Sequence, residues 1–311
     1  MKKQNNYLKA VYLAFICVFV LTGCSQNYSM KYEETELKNS FQETAAKDYT
    51  ESIIMETETL SADWSEYFYG LNGAAVIYDV SDRRYTMYNS ELALTRRSPC
   101  STFKIISSLI ALENGIIDPD NSTRTWSGEI FWNKDWNKDI DFREAFHTSC
   151  VWYYRELIDD IGKELIQKEL NKIQYGNCDI SDWEGRLNTN NNNRALTGFW
   201  IESSLIVSPK EQTEIMEHIF GENSDYSEKT QNELKQVMLT MQDKTDVSIY
   251  GKTGMGKSDG IVVDAWFTGF AEDKEEKIYF CVYLGETDHA DVSSSLAKEI
   301  AIQLISDYCS R

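Results

Sequence analysis

Hydrophobic and polar positions divide the chain into strand-rich ends and a helical middle. Apolar stretches over 73–80 and 85–88, joined by a polar turn, predict a hairpin, and later stretches predict strands over 247–252, 264–270 and 277–284. Helical spacing covers 101–114, 141–161, 163–173, 209–220, 228–242 and finally 293–308. We therefore expect an α/β fold in which both ends complete an antiparallel sheet, flanked by helices and carrying an inserted helical region.

The first 24 residues have the pattern of an export signal. Lys2 and Lys3 precede an apolar stretch over 8–21, and small residues follow just before Cys24. These residues resemble the lipobox of bacterial lipoproteins, which implies that residues 1–23 are removed and that Cys24 is lipidated. An uncleaved membrane anchor is the alternative, and both place the domain outside the cytoplasmic membrane.

Composition and charge narrow the class of protein. The chain has 311 residues, 42% of them hydrophobic, and a net charge of −19, which becomes −22 when the signal takes away three lysines and no acid. Such content supports a packed core, whereas the negative charge argues against nucleic acid as a partner. After the signal we expect a polar tether over 24–62 and one domain over 63–311.

The five cysteines beyond Cys24 are odd in number and irregular in spacing, so we expect no disulfide framework. Histidines are scattered and no CxxC grouping occurs, so we expect no metal site. Cys100 and Cys150 flank two serines discussed below, and we interpret them as small buried residues.

Ser101 and Lys104 form a Ser-x-x-Lys motif at a predicted helix start. Positions i and i+3 share a helix face, so the lysine lies beside the serine and can take its proton if burial lowers the lysine pKa. About one such motif is expected by chance in a chain of this length, and Ser295 begins another. Alone, the motif is equally compatible with an N-cap serine and a surface lysine.

Two later motifs change that balance. Ser149-Cys150-Val151 and Lys252-Thr253-Gly254 follow in the order found in penicillin-recognising serine enzymes. Lysine and threonine offer a charge and a hydroxyl to a substrate carboxylate, and glycine keeps the strand edge open.

The resemblance then becomes specific. Residues 99–104 (Pro-Cys-Ser-Thr-Phe-Lys), 175–177 (Tyr-Gly-Asn) and 199–202 (Phe-Trp-Ile-Glu) resemble the motifs of class D (oxacillinase-type) serine β-lactamases. The similarity covers roughly residues 70 to 305. It implies the serine β-lactamase/transpeptidase-like fold and β-lactam small molecules as partners.

The resemblance also implies a two-step hydrolysis that gives antibiotic resistance. Ser101 attacks the lactam carbonyl, and the backbone N–H groups of Ser101 and Met255 form the oxyanion hole. Lys104, N-carboxylated by carbon dioxide, is the general base, and no other cofactor is implied. Ser149 passes a proton to the leaving nitrogen, with Lys252 nearby. The substrate-binding residues implied are Val151, Trp200, Ile201, Thr253, Gly254 and Met255, and the Trp200 indole is the donor expected to hold the carbamate.

Two features depart from the class D pattern. Many class D enzymes carry an arginine for the substrate carboxylate at the position that aligns near Ala297, but this chain has none between Arg194 and Arg311, and Lys298 is a weak substitute. About 20 acidic and Asn-rich residues separate Asn177 from Phe199. That loop could cover the cleft or be solvated, and we expect it to be solvated.

Two other functions remain open. The β-lactam sensor domains of membrane-bound transducers share this fold and Tyr-Gly-Asn, are acylated without turnover, and tend to carry Asn where this chain has Val151. A D,D-peptidase acting on cell-wall peptide fits the location and the first motifs, but the Tyr-Gly-Asn and Phe-Trp blocks argue against it.

Overall fold

The described part of the chain forms an α/β domain around a seven-stranded sheet. A computed structural model describes residues 57–310 except 189, 191, 243–246, 274, 275 and 289. Its strands are β1 (Glu58–Ser61), β2 (Gly73–Asp79), β3 (Arg84–Tyr88), β4 (Leu239–Gln242), β5 (Val247–Ser258), β6 (Ile261–Asp273) and β7 (Glu276–Gly285). They lie in the order β1-β3-β2-β7-β6-β5-β4. All neighbours are antiparallel except β1 and β3, so strands from both ends complete one sheet, as predicted.

Helices cover both faces of this sheet. The helices are α1 (Ser65–Phe68), α2 (Ser90–Ala93), α3 (Phe103–Glu113), α4 (Phe142–His147), α5 (Val151–Ile161), α6 (Lys163–Ile173), α7 (Pro209–Phe220), α8 (Glu228–Met238) and α9 (Ser294–Cys309). Neighbouring strand residues point to opposite faces. Along β7, Tyr279 therefore packs with the helical region, whereas Phe280 packs with α9.

Three predicted elements differ from the structure. The helix expected over 141–161 is broken at 148–150, which separates α4 from α5. The pattern over 228–242 changes at Leu239 from helix to strand, because residues 239–242 pair with β5. Strand β5 continues to Ser258, so Lys252-Thr253-Gly254 lies within it and not at its end, since β6 pairs along its full length.

The N-terminal predictions fall mostly outside the described residues. These include the signal over 1–23, lipidation at Cys24 and the tether as far as residue 56. Strand β1 lies within the range assigned to the tether, but it pairs with β3, so the sheet begins before residue 63. Among the described helices, none has the length and apolar character needed to cross a membrane.

Candidate active site

Ser101 lies at the start of a helix, as its motif predicts. A 3-10 turn over Cys100–Thr102 leads directly into α3, so free backbone N–H groups and the positive end of the helix dipole lie close to the serine. Cys100 adopts a left-handed backbone conformation (φ 49°), which is unfavourable for a residue with a side chain. Such strain persists only where the surroundings enforce it, and here it directly precedes the predicted nucleophile.

Lys104 is the buried partner of that serine. Its Nζ donates a hydrogen bond to Ser101 Oγ at 2.9 Å and lies 5.1 Å from the centre of the Tyr154 ring. The lysine is 1% exposed and forms no salt bridge within the described residues. Burial lowers the pKa of Lys104 to about 8, so the neutral amine is accessible near neutral pH.

Ser149 and Lys252 form a second pair. Ser149 lies in the break between α4 and α5 with φ 59°, a left-handed conformation that ends the first helix and turns the chain. The Nζ of Lys252 donates to Ser149 Oγ at 3.1 Å and to the carbonyl oxygen of Thr253 at 3.1 Å. Burial, together with the charges of Lys104 and Lys298, holds the Lys252 pKa well below its usual value. A neutral Lys252 amine is able to exchange a proton with the Ser149 hydroxyl.

Gly254 allows strand β5 to approach the Ser101 turn. A Cβ at this position would lie 2.9 Å from the Pro99 carbonyl oxygen and 2.9 Å from Thr102 Cγ2. A larger residue would therefore push the strand away from the turn. Met255 follows directly and is 37% exposed, so the strand presents Met255 beside the nucleophile.

These elements surround a cleft of about 450 Å³. Four of the predicted residues line it: Ser101, Val151, Ile201 and Met255. Asn188, Asn190 and Leu196 also line it, so the Asn-rich loop forms part of the cleft wall. The expectation that this loop is merely solvated is therefore wrong.

Arg155 contacts this loop from the protein interior. This arginine is 1% exposed, donates to the Trp183 carbonyl oxygen at 2.8 Å and pairs with Asp159. Its guanidinium also lies 5.7 Å from the centre of the Trp200 ring. The sequence offered no spacing rule for these contacts, because they join residues far apart in the chain.

Trp200 lies in the core and not in the cleft wall. It is fully buried and stacks on Phe103 with 6.1 Å between ring centres, so the structure does not place its surface against a ligand. Its carbonyl oxygen accepts a hydrogen bond from Ser98 Oγ at 3.2 Å. The indole that is expected to hold the carbamate therefore lies in the core.

Lys252 and Thr253 line a smaller cavity of about 190 Å³ further along β5. Lys298 lines the same cavity, whereas Ala297, the position aligned with the missing arginine, is fully buried. Lys252 and Lys298 are therefore the lysines that line this end of the site.

Sequence reasoning missed the partners that position these groups. Tyr154 lies one helical turn from Cys150 on α5, and nothing in the sequence marks its contact with Lys104. Glu202 belongs to the Phe-Trp-Ile-Glu block, but no role was assigned to it. Its carboxyl lies against Cys100, Gly256 and Asp264, which three different chain segments contribute.

Comparison with known proteins agrees with this arrangement. Residues 29–306 match the penicillin-binding protein transpeptidase domain. The chain belongs to this family. That match covers most of the sequence and includes all three serine and lysine motifs.

Within this transpeptidase family, both kinds of protein weighed from the sequence occur among the relatives. Regulatory protein BlaR1 of Bacillus licheniformis is 30% identical over 245 residues, which cover 78% of this chain and 38% of that protein. The C-terminal domain of the Bacillus licheniformis BlaR penicillin-receptor has a TM-score of 0.71 at 29% identity, over 82% of this chain and 98% of that one. FUS-1 (OXA-85), a class D β-lactamase from Fusobacterium nucleatum subsp. polymorphum, has a TM-score of 0.67 at 30% identity, over 78% of this chain and 96% of that one.

These comparisons confirm the predicted resemblance to class D β-lactamases and the predicted fold. The chain spans less than half the length of the BlaR1 proteins that it matches.

Proposed function

We propose that the protein binds β-lactams covalently through Ser101 and hydrolyses them. The observation that carries this proposal is the buried contact between Ser101 and Lys104. A serine hydroxyl becomes a strong nucleophile when a neighbouring base takes its proton, and burial favours the neutral, proton-accepting form of Lys104. The backbone N–H groups of Ser101 and Met255 are the donors proposed for the developing oxyanion.

Proton transfer to the leaving nitrogen is assigned to Ser149 and Lys252. Their hydrogen bond of 3.1 Å supports a Ser149 hydroxyl that gives its proton to the nitrogen and takes one from the Lys252 ammonium, which becomes the neutral amine that its lowered pKa favours. A substrate carboxylate would then lie near Lys252, Thr253 and Lys298. Such an anion would raise the Lys252 pKa again, because an opposite charge stabilises the ammonium form.

We propose that Lys104 carries a carbamate formed from carbon dioxide. The residues present fit that group: the Lys104 amine is buried with a lowered pKa, and Trp200, the donor proposed for the carbamate, stacks on the neighbouring residue Phe103. When present, the carbamate supplies a general base for the serine proton and for the hydrolytic water. Val151 and Ile201 add apolar side chains to the cleft beside Ser101, and apolar surroundings favour the neutral amine that carbon dioxide requires.

A sensor that is acylated without turnover is the second candidate. The similarity to the BlaR penicillin-receptor domain supports it. Val151 supports hydrolysis instead, because its side chain offers no hydrogen bond that would hold Lys104 as an ammonium ion once the carbamate is lost. We therefore place hydrolysis first.

Pre-steady-state kinetics with a chromogenic β-lactam separate the two candidates. Continued turnover after one equivalent has reacted is expected for hydrolysis. A burst of one equivalent followed by no steady state would instead identify a sensor. A Val151→Asn variant is the matched comparison, and we expect it to acylate but to deacylate more slowly.

The carbamate has its own test. Protein depleted of carbon dioxide should lose turnover and regain it on addition of bicarbonate. The control is the burst amplitude measured before carbon dioxide is removed, because it gives the fraction of protein molecules whose Ser101 can be acylated. Loss of turnover without bicarbonate rescue would remove the carbamate from the proposal.

We also propose that the protein is exported and held at the outer face of the bacterial cytoplasmic membrane by lipid on Cys24. Labelled palmitate should be incorporated into the full chain expressed in bacteria, and the Cys24→Ala variant should remain unlabelled. Equal labelling of both forms would contradict the anchor.

A further inference from the structure

Two carboxyl groups meet directly behind the Ser101 turn. Asp264 lies on β6 opposite Gly256 of β5 and is 4% exposed. Glu202 reaches the same place from the segment that follows Trp200, and both acids line one cavity, where the charge of Asp264 helps to raise the pKa of Glu202. Asp264 is buried and Glu202 is half-buried, so two carboxylates here would repel each other, which favours a single proton on the pair.

Glu202 joins the two segments that carry the proposed oxyanion donors. The Cys100 thiol donates to its Oε1 at 3.1 Å, one residue before Ser101. A Cβ on Gly256 would lie only 1.5 Å from the same oxygen, so the carboxyl packs directly on β5, one residue after Met255. The backbone N–H of Glu202 also donates to Ser98 Oγ at 2.8 Å, which connects Glu202 to the start of the turn.

Backbone strain shows that this contact is enforced. Both Cys100 (φ 49°) and Glu202 (φ 43°) adopt the left-handed conformation, which costs free energy for residues with side chains. A strained residue beside a nucleophile needs external contacts to hold it. The thiol–carboxyl contact joins the two strained residues, so each limits the freedom of the other.

We propose that Glu202 and Asp264, through one shared proton, act as positioning residues that hold the Cys100–Ser101 turn against strand β5 beside Met255. The role proposed for the pair is positional, although Glu202 also lines the cleft. The pair acts through the backbone of its neighbours and fixes the spacing between the two oxyanion donors. The proposal rests on the proposed function only for the reaction used to measure it.

The pair should respond to pH. Burial raises the pKa of Glu202 to about 7, and the negative charge of Asp264 adds to that effect. The Cys100 thiol faces Glu202, and the Tyr283 hydroxyl donates to Asp264 at 2.6 Å. The charged side chains that line the cavity beside the pair are Arg96, Arg97 and Glu286. The thiol has its pKa raised well above its usual value by burial, so near pH 7 the pair itself is the group that titrates. Loss of the shared proton leaves two carboxylates in contact, and their repulsion would loosen the turn.

The test compares acylation rates of the full chain across pH. Glu202→Gln keeps one acceptor for Cys100 and one donor for Asp264 but cannot ionise. Its acylation rate relative to wild type should be near one at pH 6 and rise to about tenfold at pH 8, from a pKa near 7. Lys104 titrates in both proteins and cancels in this ratio. Asp264→Asn should show the same rise, because it also removes the like charge.

Glu286→Gln is the matched control, since this exposed carboxylate lines the same cavity as Glu202 and Asp264. The acylation rate of this variant relative to wild type should not change with pH. Infrared spectroscopy gives an independent readout: a protonated carboxyl band should disappear near pH 7 in wild type and be absent from Glu202→Gln. A flat ratio for both pair variants would overturn the positioning role.

Failure of the proposed function would look different. A protein that ignores β-lactams would form no adduct at any pH, yet the infrared band would still titrate. Phenylboronic acid, which adds to an activated serine without a lactam, then replaces the β-lactam as the probe. A ratio of variant to wild-type affinity for phenylboronic acid that rises with pH supports the positioning role. A ratio that does not change with pH overturns it.

Discussion

Lys104 Nζ lies 2.9 Å from Ser101 Oγ, in a position where 1% of the lysine is exposed and no described acid pairs with it. The protein thus keeps a basic group buried at a cost in stability. A lysine held this way gives up its proton more easily than one on the surface, which makes it useful as a base.

Replacing Ser101 tests the nucleophile. Ser101→Ala should form no covalent adduct with a β-lactam, because the attacking oxygen is gone, and intact-protein mass spectrometry detects the missing mass. The matched control is Ser295→Ala, which alters the second Ser-x-x-Lys motif on α9 and should acylate as the wild type does. An adduct on Ser101→Ala would identify another nucleophile.

Replacing Lys104 should separate activity from stability. Lys104→Met removes the base, so acylation should fall by about 10²- to 10⁴-fold. The pKa lowered to about 8 means that the folded protein binds fewer protons on this group than the unfolded chain does. Stability from this group is therefore complete above the unfolded pKa of about 10.4 and is lost as pH falls towards 8.

Lys104→Met lacks that penalty and should be about 3 kcal/mol more stable than wild type at pH 7, a gap that closes above pH 10. Urea unfolding without bicarbonate across this range measures the difference. An equal stability at both pH values would show that the lysine is not desolvated as described.

Gly254→Ala should disturb the contact between β5 and the Ser101 turn. The added Cβ would meet the Pro99 carbonyl oxygen and Thr102 Cγ2 at 2.9 Å. We expect a loss of about 1–3 kcal/mol in stability and a roughly tenfold or greater loss in acylation rate. Adding Thr102→Ser removes one of the two clashes and should restore part of both. If neither the stability nor the acylation rate recovers in the double variant, the contact with Thr102 Cγ2 is not the cause of the loss.

Two arginines share Asp159, and their exposure predicts different outcomes. Arg155 is 1% exposed, whereas the Arg194 side chain is 53% exposed. Arg155→Lys loses donors to Trp183 and Asp159 inside the protein and should cost about 1–3 kcal/mol. Arg194→Lys should cost less than about 1 kcal/mol. Urea denaturation compares the two variants, and equal effects would contradict the role of burial.

The sequence by itself determined the helix that follows Ser101, the neighbouring lysine, the hairpin of β2 and β3, and strands β5, β6 and β7. These depend on local periodicity and on the i, i+3 geometry of one helix, which nearby residues specify. The resemblance carried by the short motifs likewise identified the fold, because each motif is a contiguous segment.

Only the tertiary structure decided where distant segments meet. It turned residues 239–242 into an edge strand, placed the Asn-rich loop in the cleft wall, buried Trp200 and brought Glu202 to Asp264. These outcomes depend on pairing and burial between residues far apart in the chain, and no local pattern encodes which partner will arrive. The Glu202–Asp264 pair is the clearest case, since each acid by itself looks like any other in a chain of charge −19.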